Sequence, residues 1–360
     1  MSHLTKDIEG ILAVVKEYYK KKTELEEEEE ENLALQEVEE LPFEVPETPA
    51  RPFVCVDGSF SNLVFLKELD CNISIFRVST VEYQFGSDGH PVLKRHHVFD
   101  KIQLVSTDAS FYKADPLLPE VIRIATRFEG RELDIVASMI MYVIEQKALL
   151  AAARRYHDAL IVRDGTLTVF LPMLELQAMM DEILQTCVQN NNILVGISKD
   201  SSSHYLDDPL VDEAVLNNEY GPAEQNGAGP VMSIRIPPKR VKRHHKFKVY
   251  GDVYFARMHR FAEKFFRVDI GIPKDQAAMA FGEIAKYCIW EATPGFPFPL
   301  VQAHISAKAV RDVKDSYVEQ IIDAWREYGI PKEVLLSGLL DKNGVAAGKF
   351  HTTIDMISKI

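Results

Sequence analysis

Apolar positions along the chain fall into runs and stripes that predict an alternation of strands and helices. Residues 53–56 are a short continuous apolar run, read as a buried strand, and the Asp57-Gly58 pair reads as its end, with Gly58 letting the backbone turn. Residues 72–84 and 94–106, rich in β-branched and aromatic side chains, flank the turn signal Gly86-Ser87-Asp88-Gly89-His90-Pro91 and predict a hairpin. Three consecutive strands result. From 132 to 155, Leu133, Val136, Ala137, Ile140 and Ile144 recur at helical spacing, with Glu145 on the flank of the stripe. That helix leads into ALIVRDGTLTVF at 159–170, a second apolar run that meets Asp-Gly, at Asp164. A helix over 171–189 and an apolar strand over 192–197, leading to Lys199, follow. Residues 201–230 read as an irregular loop or insertion. Further on come a strand end at 269–272, a helix over 274–287 opened by Pro273, and a last helix opened by Pro331. Between the last two, Pro294, Gly295, Pro297 and Pro299 impose a rigid non-helical approach to Leu300, Val301 and His304.

The N-terminal stretch has a different pattern. Ile8, Ile11, Leu12, Val15, Tyr18 and Tyr19 predict an amphipathic helix within residues 3–22, followed by the block Glu26 to Glu31 and a linker carrying Pro42, Pro46, Pro49 and Pro52. This segment, 1–50, is either a solvated arm or a helix that docks on a partner subunit. The main domain is expected over 51–335, with a basic insertion near 237–250 and a tail over 336–360.

Composition bounds the function classes. A length of 360 residues allows two domains or one elaborated α/β domain. No apolar run approaches a membrane span and the N-terminus lacks the features of a signal peptide, so a cytoplasmic protein without a membrane partner is expected. The four cysteines form no C-x-x-C pair, which argues against a zinc ribbon or a disulfide framework and for small buried hydrophobes. The net charge of −13 argues against a nucleic-acid partner only on average. The first 50 residues hold 15 acidic and 5 basic side chains, so the remainder is near neutral, with 39 and 36. Within that remainder Lys239, Arg240, Lys242, Arg243, Lys246 and Lys248 cluster with His244 and His245. The cluster is a candidate phosphate-contacting ribbon, or else a surface that pairs with the glutamate block.

Either Asp-Gly pair alone is ordinary turn chemistry, and a lone histidine after an apolar run is usually structural. Their order changes the reading. Three strands with an aspartate on the first, a glutamate-bearing helix and a strand with a second aspartate follow the α/β RNase H-like arrangement, a mixed sheet flanked by helices. Converged carboxylates are what hard divalent cations require, and two ions about 3.5 to 4 Å apart can activate water and stabilise a leaving oxygen. Asp57, Glu145 and Asp164 are therefore candidate metal ligands, and His304 a group that orients water, protonates the leaving group or joins the ligand set.

VDGSF at 56–60, Glu145, RDGTL at 163–167, GISKD at 196–200 and PGFPFPLVQAH at 294–304 occur in the order seen in the NurA nucleases, which this chain resembles from about residue 53 to 310. The resemblance implies an RNase H-like homodimer dependent on Mn²⁺, with Mg²⁺ as the other candidate. It also implies 5′ to 3′ exonuclease and single-strand endonuclease action on DNA, and coupling to a HerA-type hexameric ATPase in end resection for recombinational repair. Lys199, Lys239, Arg240, Lys242 and Arg243 are then candidate DNA contacts. One departure is Phe296, where the family usually has tyrosine: a ring remains to stack on a base but the hydroxyl is lost. Two other classes stay open, a catalytically weakened DNA clamp or adaptor that stimulates a translocase, and an RNase H-like enzyme acting on RNA or hybrids.

Overall fold

A computed structural model describes residues 37–47, 51–66, 69–108, 133–170, 173–206, 210–221, 230–242, 247–272 and 274–328. The expected helix within 3–22, the block Glu26 to Glu31, Arg243 to Lys246, the helix opened by Pro331 and the tail over 336–360 lie outside the described residues. In chain order the strands are β1 (Glu39–Leu41), β2 (Phe53–Leu66), β3 (Cys71–Phe85), β4 (Pro91–Ser106), β5 (Leu160–Asp164), β6 (Thr168–Phe170), β7 (Ile193–Ser198), β8 (Met232–Arg235), β9 (Phe247–Val249), β10 (Asp252–Arg257) and β11 (Phe266–Ile270). The helices are α1 (Leu133–Arg155), α2 (Leu174–Gln189), α3 (Asp212–Glu219), α4 (Pro238–Val241), α5 (Ala277–Ala285), α6 (Phe298–Lys308) and α7 (Lys314–Glu327).

Nine strands form one mixed sheet in the order β1-β8-β10-β11-β7-β5-β2-β3-β4, and β6 and β9 pair as a short ribbon. β2, β3 and β4 make the antiparallel meander, β2 runs parallel to β5 and β5 parallel to β7. This is the predicted RNase H-like order, extended on the β7 side by four antiparallel strands. Residues 39–41 of the proline-bearing linker close that edge by pairing with β8.

Period-two alternation on the central strands divides the core between the two faces. Val54, Val56 and Ile161 pack with Ile140 and Ile144 of α1 and Met180 of α2 on one face. Phe53, Cys55 and Val162 pack with Phe281 of α5 and Leu300 of α6 on the other. Burial of such side chains stabilises by about 1.5–3 kcal/mol each. All four cysteines are buried and unpaired, as small hydrophobes.

Several expectations change. β2 does not end at Val56: it continues to Leu66, with Asp57 opposite Ser79 and Gly58 opposite Val78 of β3, so the first Asp-Gly is mid-strand. Fifteen-residue β3 supplies a ladder along nearly the whole of β2, and that tertiary pairing overrides the local turn preference of Asp-Gly. β5, in contrast, pairs only as far as Val56. α6 begins at Phe298, earlier than the proline-rich approach predicts, because Pro297 is its N-cap and Pro299 occupies the first turn, where a proline costs no hydrogen bond. The 201–230 segment contains α3, whose buried Asp212 accepts from the backbone N–H groups of Tyr205 (2.9 Å) and Leu206 (2.8 Å). α1 is long and apolar enough by length and composition to cross a membrane, which the uninterrupted-run criterion missed because Glu145 and Lys147 break the run. Its apolar side chains pack on the sheet and on α2.

Candidate active site

Asp57 lies on β2 one residue beyond the last pairing with β5, Asp164 ends β5, and His304 lies in the second turn of α6 across the face that also holds Phe281 and Leu300. One ligand atom from each of the three falls within 4.8 Å of the others. His304 Nδ1 is 2.7 Å from Asp57 Oδ2 and 3.3 Å from Asp164 Oδ2, and the Gly58 N–H donates to Asp57 Oδ1 at 2.8 Å. Strand ends beside the point where parallel pairing stops are where open α/β sheets gather functional groups.

Burial, and then the neighbouring Asp164 charge, push Asp57 up to about 7, with Lys199 opposing the shift. His304 is held below its ordinary value, first by burial and then by the Lys199 charge, so the ring is neutral at pH 7. Lys199 Nζ forms an ion pair with Asp164 Oδ2 and sits 5.7 Å from the centre of the Phe296 ring. Two crowded carboxylates and a neutral imidazole, compensated by one ammonium, fit a divalent cation: the donors are two oxygens and one nitrogen, which Mn²⁺ tolerates better than Mg²⁺.

Glu145 is not in that cluster. It is buried on α1, on the other side of β2, and its Oε2 accepts from Arg163 Nη2 at 3.1 Å. Burial raises Glu145 to about 7 against the pull of Arg163, and the charges of Asp57 and Asp164 also act on it. Gly58 explains how the helix comes so near. A Cβ there would fall 2.7 Å from Glu145 Oε1 and closer still to Met141 Cε. The glycine serves close approach of helix to strand rather than a turn.

The nucleic-acid candidates fare differently. Phe296 is 3% exposed, with its ring 5.3 Å from that of Phe266 in the core, so it offers no face to a base; it floors Lys199 instead. Lys239 pairs with Glu37, and buried Arg240 donates to the same carboxylate at 3.3 Å, so these two cations bind the chain's own acidic segment. Lys242 is exposed beside them, and Arg243 lies outside the described residues.

Three supporting residues were not anticipated. Arg163 holds Glu145, donates to the Thr166 carbonyl at 3.2 Å and lies 4.3 Å from the Tyr142 ring centre; a charged residue inside the apolar run LIVRD was its signal. Asp269, fully buried on β11, accepts from the Leu167 N–H at 2.8 Å and is clamped by Arg267 at 2.9 and 3.0 Å, which fixes the loop after Asp164. No sequence signal marks that contact across 102 residues. Arg311, in the single turn after α6, faces the cleft beside Glu145.

No protein-family model matches the sequence, and no curated protein matches it. Among solved structures the chain is similar to the crystal structure of the NurA nuclease from Sulfolobus solfataricus, at 13% identity and a TM-score of 0.50, over 90% of this chain and 98% of that one. A second crystal structure of NurA matches at 11% identity and a TM-score of 0.50, over 88% and 98%. With Asp57, Asp164 and His304 drawn together where β5 ends against β2, the chain has a NurA-like fold.

Proposed function

We propose that this protein is a divalent-metal-dependent nuclease that hydrolyses phosphodiester bonds in DNA. The observation that carries the reading is the convergence of Asp57, Asp164 and His304, from β2, β5 and α6, on one point where β5 ends against β2. Asp57 and Asp164 would hold the cation with His304, and Glu145, across Gly58, is the reserve carboxylate. A bound divalent ion supplies Lewis acidity, lowering the pKa of water and offsetting charge on phosphate. The chain's own contribution is positional. Arg163 fixes Glu145, Asp269 fixes the Asp164 loop, and Lys199, seated on Phe296, is placed to release Asp164 and contact phosphate. Neutral His304 on α6 is in the form that binds a cation or accepts a proton.

The finer proposal is Mn²⁺ as the ion, a two-metal mechanism, 5′ to 3′ exonuclease and single-strand endonuclease action, a homodimer, and work beside a hexameric ATPase in end resection; it is supported by the motif order and the NurA-like fold. The second reading is a clamp or adaptor of weakened activity, which the absence of a hydroxyl at Phe296 favours and the convergence of Asp57, Asp164 and His304 disfavours. End-labelled single- and double-stranded DNA incubated with Mn²⁺ or Mg²⁺ tests the function. Cleavage by the native protein and a loss of about 10³-fold or more in Asp57→Ala is expected, the scale of removing a principal catalytic group. Absence of cleavage by the native protein in either metal refutes the reading.

A further inference from the structure

Beside the metal-ligand cluster, β2 and α1 enclose an open cleft of about 570 Å³. Gly58, the residue after Asp57, and Glu145 are in its lining, so it lies on the α1 side of β2 next to the candidate active site, and Arg311 stands on its wall. Ser59 and Ser61 on β2 and Ser138 on α1 line it with hydroxyls, which donate to or accept from phosphate and sugar oxygens. Asn62 is held rigidly: its amide nitrogen donates to Asp134 Oδ1 at 3.1 Å and its amide oxygen accepts from Ser74 at 2.8 Å, leaving one oriented N–H. No base-sized apolar slot is needed for such contacts, because backbone recognition uses polar groups and positive charge. Arg311 is exposed, has no carboxylate partner among the described residues, and is near enough for its charge to act on His304.

We infer that this cleft is the track of the polynucleotide backbone leaving the active site, with Arg311 as its phosphate-binding cation. The inference deepens the nuclease reading and rests on it for the word substrate, but its core, an anionic strand bound at Arg311, is tested without cleavage. The guanidinium presents a fork of donors that matches phosphate oxygens, and a lysine there retains charge while losing the fork.

Fluorescence anisotropy of a labelled single-stranded 20-mer deoxyoligonucleotide, titrated over a range of salt in an Asp57→Asn background, reads binding alone. Arg311→Ala is expected to weaken binding about 5- to 10-fold and to reduce the salt slope by about 1, and Arg311→Lys to restore most of the slope. Ser138→Glu, on an exposed position of α1, should weaken binding by placing a negative charge in the same wall. In the cleavage-competent protein Arg311→Ala should raise KM with kcat changed less than about 2-fold, the pattern of lost uniform binding. Unchanged affinity and salt slope in both Arg311→Ala and Ser138→Glu overturns the inference, whether or not DNA is cleaved. Weakened binding in a protein that never cleaves upholds the track and overturns the nuclease reading alone.

Discussion

Asp57 is under two opposed demands: a cation site needs its charge, and burial next to Asp164 disfavours that charge. In the metal-free fold Asp57 and Glu145 both titrate near 7, above their ordinary values of 3.8 and 4.5. The folded state therefore holds protons that the unfolded chain releases. Their stabilising contribution is full below about pH 4 and is lost as pH rises through 7. Thermal melts in chelator should show stability from these groups falling between about pH 4 and 7. Asp57→Asn, which removes the charge, should flatten that fall and raise the neutral-pH Tm of the metal-free protein by a few degrees. Added Mn²⁺ should stabilise the native protein more at pH 8 than at pH 5.5, because the ligands must lose their protons to bind it. Identical pH dependence in the native protein and Asp57→Asn would count against the assignment.

Among the elements, β2 and α1 are fitted to each other at Gly58. Alanine there drives a methyl group into Glu145 and Met141, and although the Met141 tip can yield, the Glu145 carboxyl is tied to Arg163. Gly58→Ala is expected to cost about 1–3 kcal/mol, the usual range for overpacking. Cleavage should fall further than stability does, since the displaced group is Glu145; a Tm drop with full activity at permissive temperature would show that the close approach is only packing. α6 shows the complementary case. Its prolines set where the helix starts, and that start sets which turn delivers His304 to the strand ends. The sequence motif around His304 was therefore legible as a landmark, while its helical geometry was not, because proline reads as a breaker except at a first turn.

Across the whole molecule, the sheet extends to residues 39–41, and Glu37 ties the basic segment down through Lys239 and Arg240. Pairing with the block Glu26 to Glu31 lies outside the described residues, but Glu37 beyond it engages Lys239 and Arg240, and these two cations are correspondingly less available to DNA. Two truncated chains test the edge strand, and one starting at residue 37, which keeps β1 and Glu37, is the reference. One starting at 48 loses β1 and both ion pairs, and its Tm should fall by several degrees. Equal melting of the two truncations would mean that the edge strand adds nothing to the sheet.

Local pattern alone determined the order of elements, the helix bearing Glu145, the meander and the four landmarks Asp57, Glu145, Asp164 and His304, because periodicity and turn chemistry are written within a few residues of where they act. Only the tertiary structure decided that Asp57 is mid-strand, that Glu145 stands apart from the Asp57, Asp164 and His304 cluster on Arg163, that Phe296 is core, that Asp269 holds the loop after Asp164 and that Arg311 lines the cleft beside Glu145. Those facts depend on which faces meet across contacts such as that of His304 with Asp57, 247 residues apart in the chain. Burial and neighbouring charge, rather than residue type, then set whether each group is a ligand, a support or a piece of the core.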